Sequence, residues 1–315
     1  MRNLLDLLMQ NPKIQIAGLH PRLTEDVDIS QHACKYGISI FESNSINDPK
    51  YINTIYKLDV DFFISCNEKQ IFKKPLLELP KKASLNLHCG CLPLQRGGGG
   101  IYSAFINKQN VGITIHAIDE SIDGGDIYTK IERPIGEHEC ITDIKNWTLE
   151  VGPRLYYNTI LAVENEQLKA RKQVGLYSYT PAMPKYDNVI DWCEESVLIH
   201  NRIRGRQSPV YCLAFVDHKP LYIMKSELTT DVSNFKGTPG QVIAKTNRGN
   251  VIKTGDNALL INLVAYDETM PFIPSFKVST MFALNLTSEY IDLSRRLSSL
   301  ELRLSEIERS RSSGR

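Results

Sequence analysis

Asn86 and His88 stand two apart in the run Leu85-Asn86-Leu87-His88. In a strand, side chains at i and i+2 share a face, so this alternation puts an amide and an imidazole together and turns the leucines the other way. Polar groups on a buried strand face are costly unless something polar meets them. The natural partner is Asp123, in the turn Asp123-Gly124-Gly125 that follows the apolar run from Val111 to Ile118. An amide donor, an imidazole and a carboxylate are the parts that acyl transfer needs: an oxyanion donor, a proton acceptor and the group that orients it.

The surrounding pattern supplies elements to hold these groups. A leucine-rich helical stretch from Asn3 to Met9 leads into the apolar segment Ile14 to Leu19. Further strands are expected at Ile38 to Phe41, Phe62 to Ser65, Ala83 to Leu87 and Gly112 to Ile118. Helical patterns lie between them at Tyr51 to Leu58, Pro75 to Leu79 and Ile101 to Ile106. Alternation of this kind argues for an α/β class, a Rossmann-like open and mostly parallel sheet with helices on both faces. Ligands in such sheets bind beyond the carboxyl ends of the strands, where Asn86 and His88 fall. A helix from Asp143 to Glu164 closes this part, and Gln167 to Ser178 reads as a linker. After the helix Val197 to Arg204 come short alternating runs at Val210 to Val216, Leu221 to Met224, Gly240 to Ile243, Val251 to Thr254 and Leu259 to Val264. Closely spaced short strands with Gly, Pro and Asp turns between them suggest a small β-barrel.

Composition excludes several classes. The chain has 315 residues, 42% apolar and 23% charged, with a net charge of +1, as ordinary for a soluble globular protein. That balance suggests neither nucleic acid nor an anionic membrane as partner. No apolar run is long enough for a membrane span, so a cytoplasmic location is expected. Seven scattered cysteines form no C-x-x-C pair. Cys89 and Cys91 beside His88 lack the second ligand pair that zinc would need, so no metal is expected and the thiols read as reduced and at least half-buried. Gly97 to Gly100 read as a flexible wall of the site, and without Gly-Lys-Ser/Thr they are no nucleotide P-loop.

Three segments in order, Asn86-Leu87-His88, Leu92-Pro93 with Arg96-Gly97, and Asp123-Gly124-Gly125, resemble the signature of the formyltransferases that use 10-formyltetrahydrofolate. In appearance the chain is closest to the N-formyltransferases of nucleotide-linked amino sugars, which are related to methionyl-tRNA formyltransferase. The segments Pro239-Gly240-Gln241 and Val251 to Asp256 look like the oligonucleotide-fold-like (OB-like) C-terminal domain of those enzymes. The resemblance covers roughly residues 1 to 270 and divides the chain into a catalytic domain at 1–172, an OB-like domain at 173–275 and a helical end at 276–315. It also places a strand and tight turn before the first helix, so the first strand is expected to be absent here.

The resemblance implies transfer of a formyl group from 10-formyltetrahydrofolate to a primary amine. His88 would take the proton, Asp123 would orient and charge the imidazole, and Asn86 with protonated His88 would stabilise the oxyanion. The pterin would lie against Gln70, Ile71 and Phe72 and against Ile118, Asp119, Ser121 and Ile122. Residues 173–271 hold ten Lys or Arg and ten Asp or Glu. A tRNA-acting domain needs an excess of positive charge. The segment Leu92 to Arg96 also lacks the basic insertion that the resemblance would imply for a tRNA enzyme. A nucleotide-linked amino sugar is therefore the expected acceptor, with methionyl-tRNA as the alternative. From other classes, a non-catalytic folate or nucleotide-sugar binding module and a hydrolase releasing formate remain open.

The end of the chain differs in kind. Leu286, Tyr290, Leu293, Leu297, Leu300, Leu304 and Ile307 alternate at spacings of four and three, a heptad seam. Glu289, Arg296 and Arg303 take the g positions, and Ser294, Glu301 and Glu308 take the e positions. A parallel homodimer through this helix is expected.

Overall fold

The computed structural model describes residues 2–21, 27–180, 188–207, 210–217, 219–230, 232, 235–267, 269–282 and 294–304. The chain divides into two compact units, 1–184 and 185–315.

In the first unit the helices are α1 (Arg2–Met9), α2 (Val27–Lys35), α3 (Pro49–Tyr56), α4 (Lys74–Leu77), α5 (Gly100–Ile106) and α6 (Ile141–Glu164). The strands are β1 (Phe62–Cys66), β2 (Ala83–His88), β3 (Val111–Ala117) and β4 (Ile127–Arg133), paired in the order β1-β2-β3-β4. Only β1 and β2 run parallel; β2 with β3 and β3 with β4 are antiparallel. The α/β class stands, but the ladders are mixed rather than mostly parallel. Hydrophobic runs alone do not encode strand direction, and the short Gly-Gly turn between β3 and β4 permits a reversal. The segments expected as strands at 14–19 and 38–41 meet in a single parallel bridge, Leu19 to Ile40.

The core follows from the side-chain periods. α1 is amphipathic, and its Leu4 and Leu8 pack with Leu85, Leu87, Ile113 and Ile115 of β2 and β3 and with Tyr156 and Ile160 of α6. Tyr156 is fully buried, and its hydroxyl accepts from the Ser65 N–H at 3.2 Å and donates to the Leu85 carbonyl at 2.6 Å. This ties α6 to both strands of the parallel ladder and meets the demand that a buried phenol find partners. α3 begins where Asp48 accepts from the backbone of Lys50 and Tyr51, with Pro49 pre-set at its first position.

The second unit carries α7 (Ser196–Arg204) and five strands: β5 (Cys212–Val216), β6 (Lys219–Leu228), β7 (Val242–Thr246), β8 (Gly249–Lys253) and β9 (Ala258–Ala265). They form one antiparallel sheet ordered β5-β6-β9-β8-β7. Ile199 and Ile203 of α7 bury against Leu221, Ile223, Ile252, Leu259 and Ile261 of the sheet, together with Trp192 and Phe282. A further helix covers 294–304, and all of its residues are exposed. Leu286, Tyr290, Leu293 and Ile307 of the heptad seam, and Glu308 beside it, lie outside the described residues.

Candidate active site

β2 and β3 share a two-faced ladder. Leu85, Leu87, Ile113 and Ile115 face the core, while the register sets Asn86 opposite His116 and His88 opposite Thr114 on the other face. The Thr114 hydroxyl donates to the Gly90 carbonyl at 2.7 Å and pins the turn after β2. That turn leads to Gln95, almost fully buried. Its amide oxygen accepts from the Cys91 N–H, and its amide nitrogen donates to Gln109 and to the Asn110 carbonyl. So fixed, the Gln95 backbone carbonyl stands 2.8 Å from His88 Nε2.

Asp123 completes the cluster. Its Oδ2 accepts from the Gly97 N–H at 2.8 Å and lies 3.4 Å from His88 Nδ1. Its Oδ1 lies 3.4 Å from His116 Nε2 and 3.5 Å from the Asn86 amide nitrogen. Asn86 also stands 3.1 Å from His116 Nε2, and His116 Nδ1 is 2.7 Å from the Ala117 carbonyl. Its partner fixes the His88 tautomer: a ring nitrogen facing a carbonyl carries the hydrogen, so His88 donates through Nε2. His88 Nδ1 is left as the lone pair, on the side of Asp123.

The backbone is bent to permit this. Asp123 has φ +49°, a left-handed conformation that Asp tolerates better than most residues. Gly125 is required by close approach: a Cβ there would stand 2.0 Å from the Ala117 carbonyl oxygen. The turn can therefore fold back onto the end of β3.

Electrostatics set the charge states of Asp123 and His88. Burial alone would push the Asp123 carboxyl up. The His116 hydrogen bond, the neighbouring His88 and the Gly97 N–H outweigh it and hold the group at about 2. Burial pulls His88 below its ordinary value, against the opposing pull of Asp123 and the Gln95 carbonyl. At neutral pH the cluster is therefore a carboxylate beside a neutral imidazole, the protonation pattern of a general base with its anionic partner. Burial pushes the Cys89 and Cys91 thiols up to about 11 and about 12, so both stay protonated.

Behind Asp123 lies a support the sequence reading did not foresee. Gln173 donates its amide to the backbone carbonyls of Asp123 and Gly125, both at 2.8 Å, and accepts from Arg96 at 2.8 Å. The buried Arg96 guanidinium lies 4.5 Å from the Tyr177 ring centroid, and the backbones of Arg96 and Tyr179 form a parallel bridge. The stretch from Gln167 to Ser178, expected as a linker, is thus packed against the site. Its register with Arg96 and Ile127 is a tertiary contact that no local pattern announces.

Asn86, His88 and Asp123 are brought together within the distances above. His116 and Gln95 were missed. The only signal for His116 was its two-residue spacing from Thr114 in the strand Val111–Ala117, which is buried as far as His116. Of the other expected site residues, Gln70 accepts from the Ile46 N–H and so holds a neighbouring loop. The Ile71 carbonyl accepts from Asn47, and Phe72 is half-buried in the same turn. The Ile118 N–H bonds the Ser84 carbonyl, and Ser121 closes a turn onto the Asp119 carboxylate. The two segments are joined by the Lys74 N–H, which donates to Glu120 at 3.3 Å, and Ile71 and Ile122 leave apolar side chains exposed. Among the described residues, no group of three or more His, Cys, Asp or Glu is placed to hold a metal ion.

Residues 10–160 match the formyl transferase family model, and residues 182–271 match the model for the formyl transferase C-terminal domain. A methionyl-tRNA formyltransferase of Halalkalibacterium halodurans is 30% identical over 74% of this chain and 73% of its own length. Among solved structures, an N-formyltransferase from Helicobacter canadensis in complex with folinic acid and dTDP-3-aminofucose is 22% identical. It has a TM-score of 0.64 and covers 83% of this chain and 94% of that one. The chain also matches 42% of a longer protein, HypX from Aquifex aeolicus, at 17% identity and a TM-score of 0.54. At those identities the structural likeness is one of fold. With the family models spanning both units and a relative at 30% identity, the chain belongs to the formyl transferase family.

Proposed function

We propose that this chain transfers a formyl group from 10-formyltetrahydrofolate to the primary amine of a nucleotide-linked amino sugar. The observation that supports the transfer is the buried cluster in which an ionised Asp123 stands 3.4 Å from the unprotonated Nδ1 of a neutral His88. The folate supplies an activated formyl carbon. Exposed Ile71 and Ile122, on the two joined segments, offer the apolar wall that a pterin ring needs.

His88 Nδ1 accepts the proton that the amine loses as its nitrogen bonds the formyl carbon. The resulting imidazolium is then held at both ends, by Asp123 Oδ2 and by the Gln95 carbonyl. Asn86 exchanges its weak 3.5 Å contact to Asp123 for the formyl oxygen as negative charge develops there. The proton returns to the departing folate nitrogen.

The choice of acceptor rests on charge. With ten basic and ten acidic residues in 173–271, this region offers no net attraction for a tRNA backbone. A second reading, methionyl-tRNA as acceptor, is favoured by the methionyl-tRNA formyltransferase at 30% identity. Both acceptors present a primary amine, so the catalytic cluster serves either. Filter binding of initiator tRNA across a salt series separates them. The sugar reading expects no measurable binding at physiological salt, and micromolar binding with a steep salt dependence would remove it.

A further inference from the structure

We infer that the 294–304 helix is one strand of a parallel two-stranded coiled coil made with a second copy of this chain. Among the described residues nothing covers the helix: all eleven of its residues are exposed, and Leu297, Leu300 and Leu304 each retain more than half of their surface. Those three leucines fall at spacings of three and four and share one stripe, a d position between two a positions. A helix of this length is marginal alone in water, so a leucine stripe standing clear of the body asks for a facing helix. In sequence the stripe runs on, with Leu286, Tyr290 and Leu293 before it and Ile307 after it.

The flanking charges choose the occupant and its direction. Arg296 and Arg303 line one edge of the stripe, and Glu301 lines the other, followed in sequence by Glu308. In a parallel pair in register, a g residue faces the e residue five positions later on the partner. Arg296 then meets the partner's Glu301, twice over by symmetry, and the sequence repeats the pattern one heptad on with Arg303 and Glu308. An antiparallel pair would not bring Arg296 to Glu301, because it sets g against g and e against e. A self-complementary edge of this kind fits an identical helix without any other protein.

The inference is independent of the reading of the active site, and the test uses the full chain. Sedimentation equilibrium at micromolar concentration is expected to give twice 35.7 kDa. The variant Leu297→Asp with Leu304→Asp is expected to give 35.7 kDa. Its thermal unfolding should not change, because neither side chain belongs to a core. Two charge variants complete the experiment: Arg296→Glu with Arg303→Glu in one chain, and Glu301→Lys with Glu308→Lys in another. Each alone should dimerise at least roughly tenfold more weakly, and an equimolar mixture should restore a mixed dimer. A monomeric wild type, a mass above two chains, a dimer that survives the double Asp variant, or charge variants that fail to recover on mixing would each overturn the inference.

Discussion

Replacing Asp123 by Asn keeps the shape of the side chain and removes its charge. The new amide oxygen can still accept from the Gly97 N–H, so the turn is expected to stay folded. What disappears is the anion between two imidazoles, each 3.4 Å away. An imidazolium formed at His88 Nδ1 would then have no counter-charge in a buried site, and turnover should fall by roughly 10²–10⁴, the range for loss of general acid–base function. Stability changes too. Asp123 sits at about 2 against an ordinary 3.8, which converts to about 2 kcal/mol of native-state stabilisation at neutral pH. Because the folded-state value is depressed, that contribution is complete above 3.8 and is lost as pH falls toward 2. Urea unfolding of both proteins at stepped pH should therefore show a stability gap at neutrality that narrows under acid. Turnover within about threefold of wild type, or a gap that does not narrow, would refute the reasoning.

Other consequences are checked with standard assays. His88→Ala should lower turnover by at least roughly 10²-fold with the chain still folded at the assay temperature, read by steady-state kinetics beside calorimetry. The pH profile of kcat/KM should be level above neutrality and fall on its acid side with a midpoint below the ordinary histidine value of 6.5, because burial disfavours the charged ring; a midpoint above 6.5 would contradict the assignment. Tyr156→Phe strands the Leu85 carbonyl and the Ser65 N–H and should cost about 1–3 kcal/mol in chemical unfolding, with little effect on KM.

Some of this was legible from local pattern. Asn86 and His88 declared themselves by alternating with leucines, and Asp123 by its Gly-Gly turn, because strand period and turn chemistry are properties of a few adjacent residues. β4 was not, since Ile127–Arg133 is only partly buried and carries Lys130 and Arg133 among its apolar residues. α2 was not, because Val27–Lys35 has few large apolar residues to mark a stripe. His116 was hidden inside a strand that reads as wholly buried, and its meaning comes from the β2–β3 register, a non-local quantity. Gln95 and Gln173 carry no signal of their own. Each acts through its amide, and only the fold decides which carbonyls that amide meets.

The most direct measurement is a paired acceptor assay. Purified chain and 10-formyltetrahydrofolate are incubated with a panel of nucleotide-linked 3- and 4-amino sugars and, separately, with methionyl-tRNA, and the products are weighed by mass spectrometry. The account predicts one formyl group added to the amine of a nucleotide-linked sugar and none to methionyl-tRNA, with Asp123→Asn nearly silent on both. Formylation of methionyl-tRNA with no sugar product would contradict the proposed acceptor, and no formyl product from any amine would contradict the transfer itself.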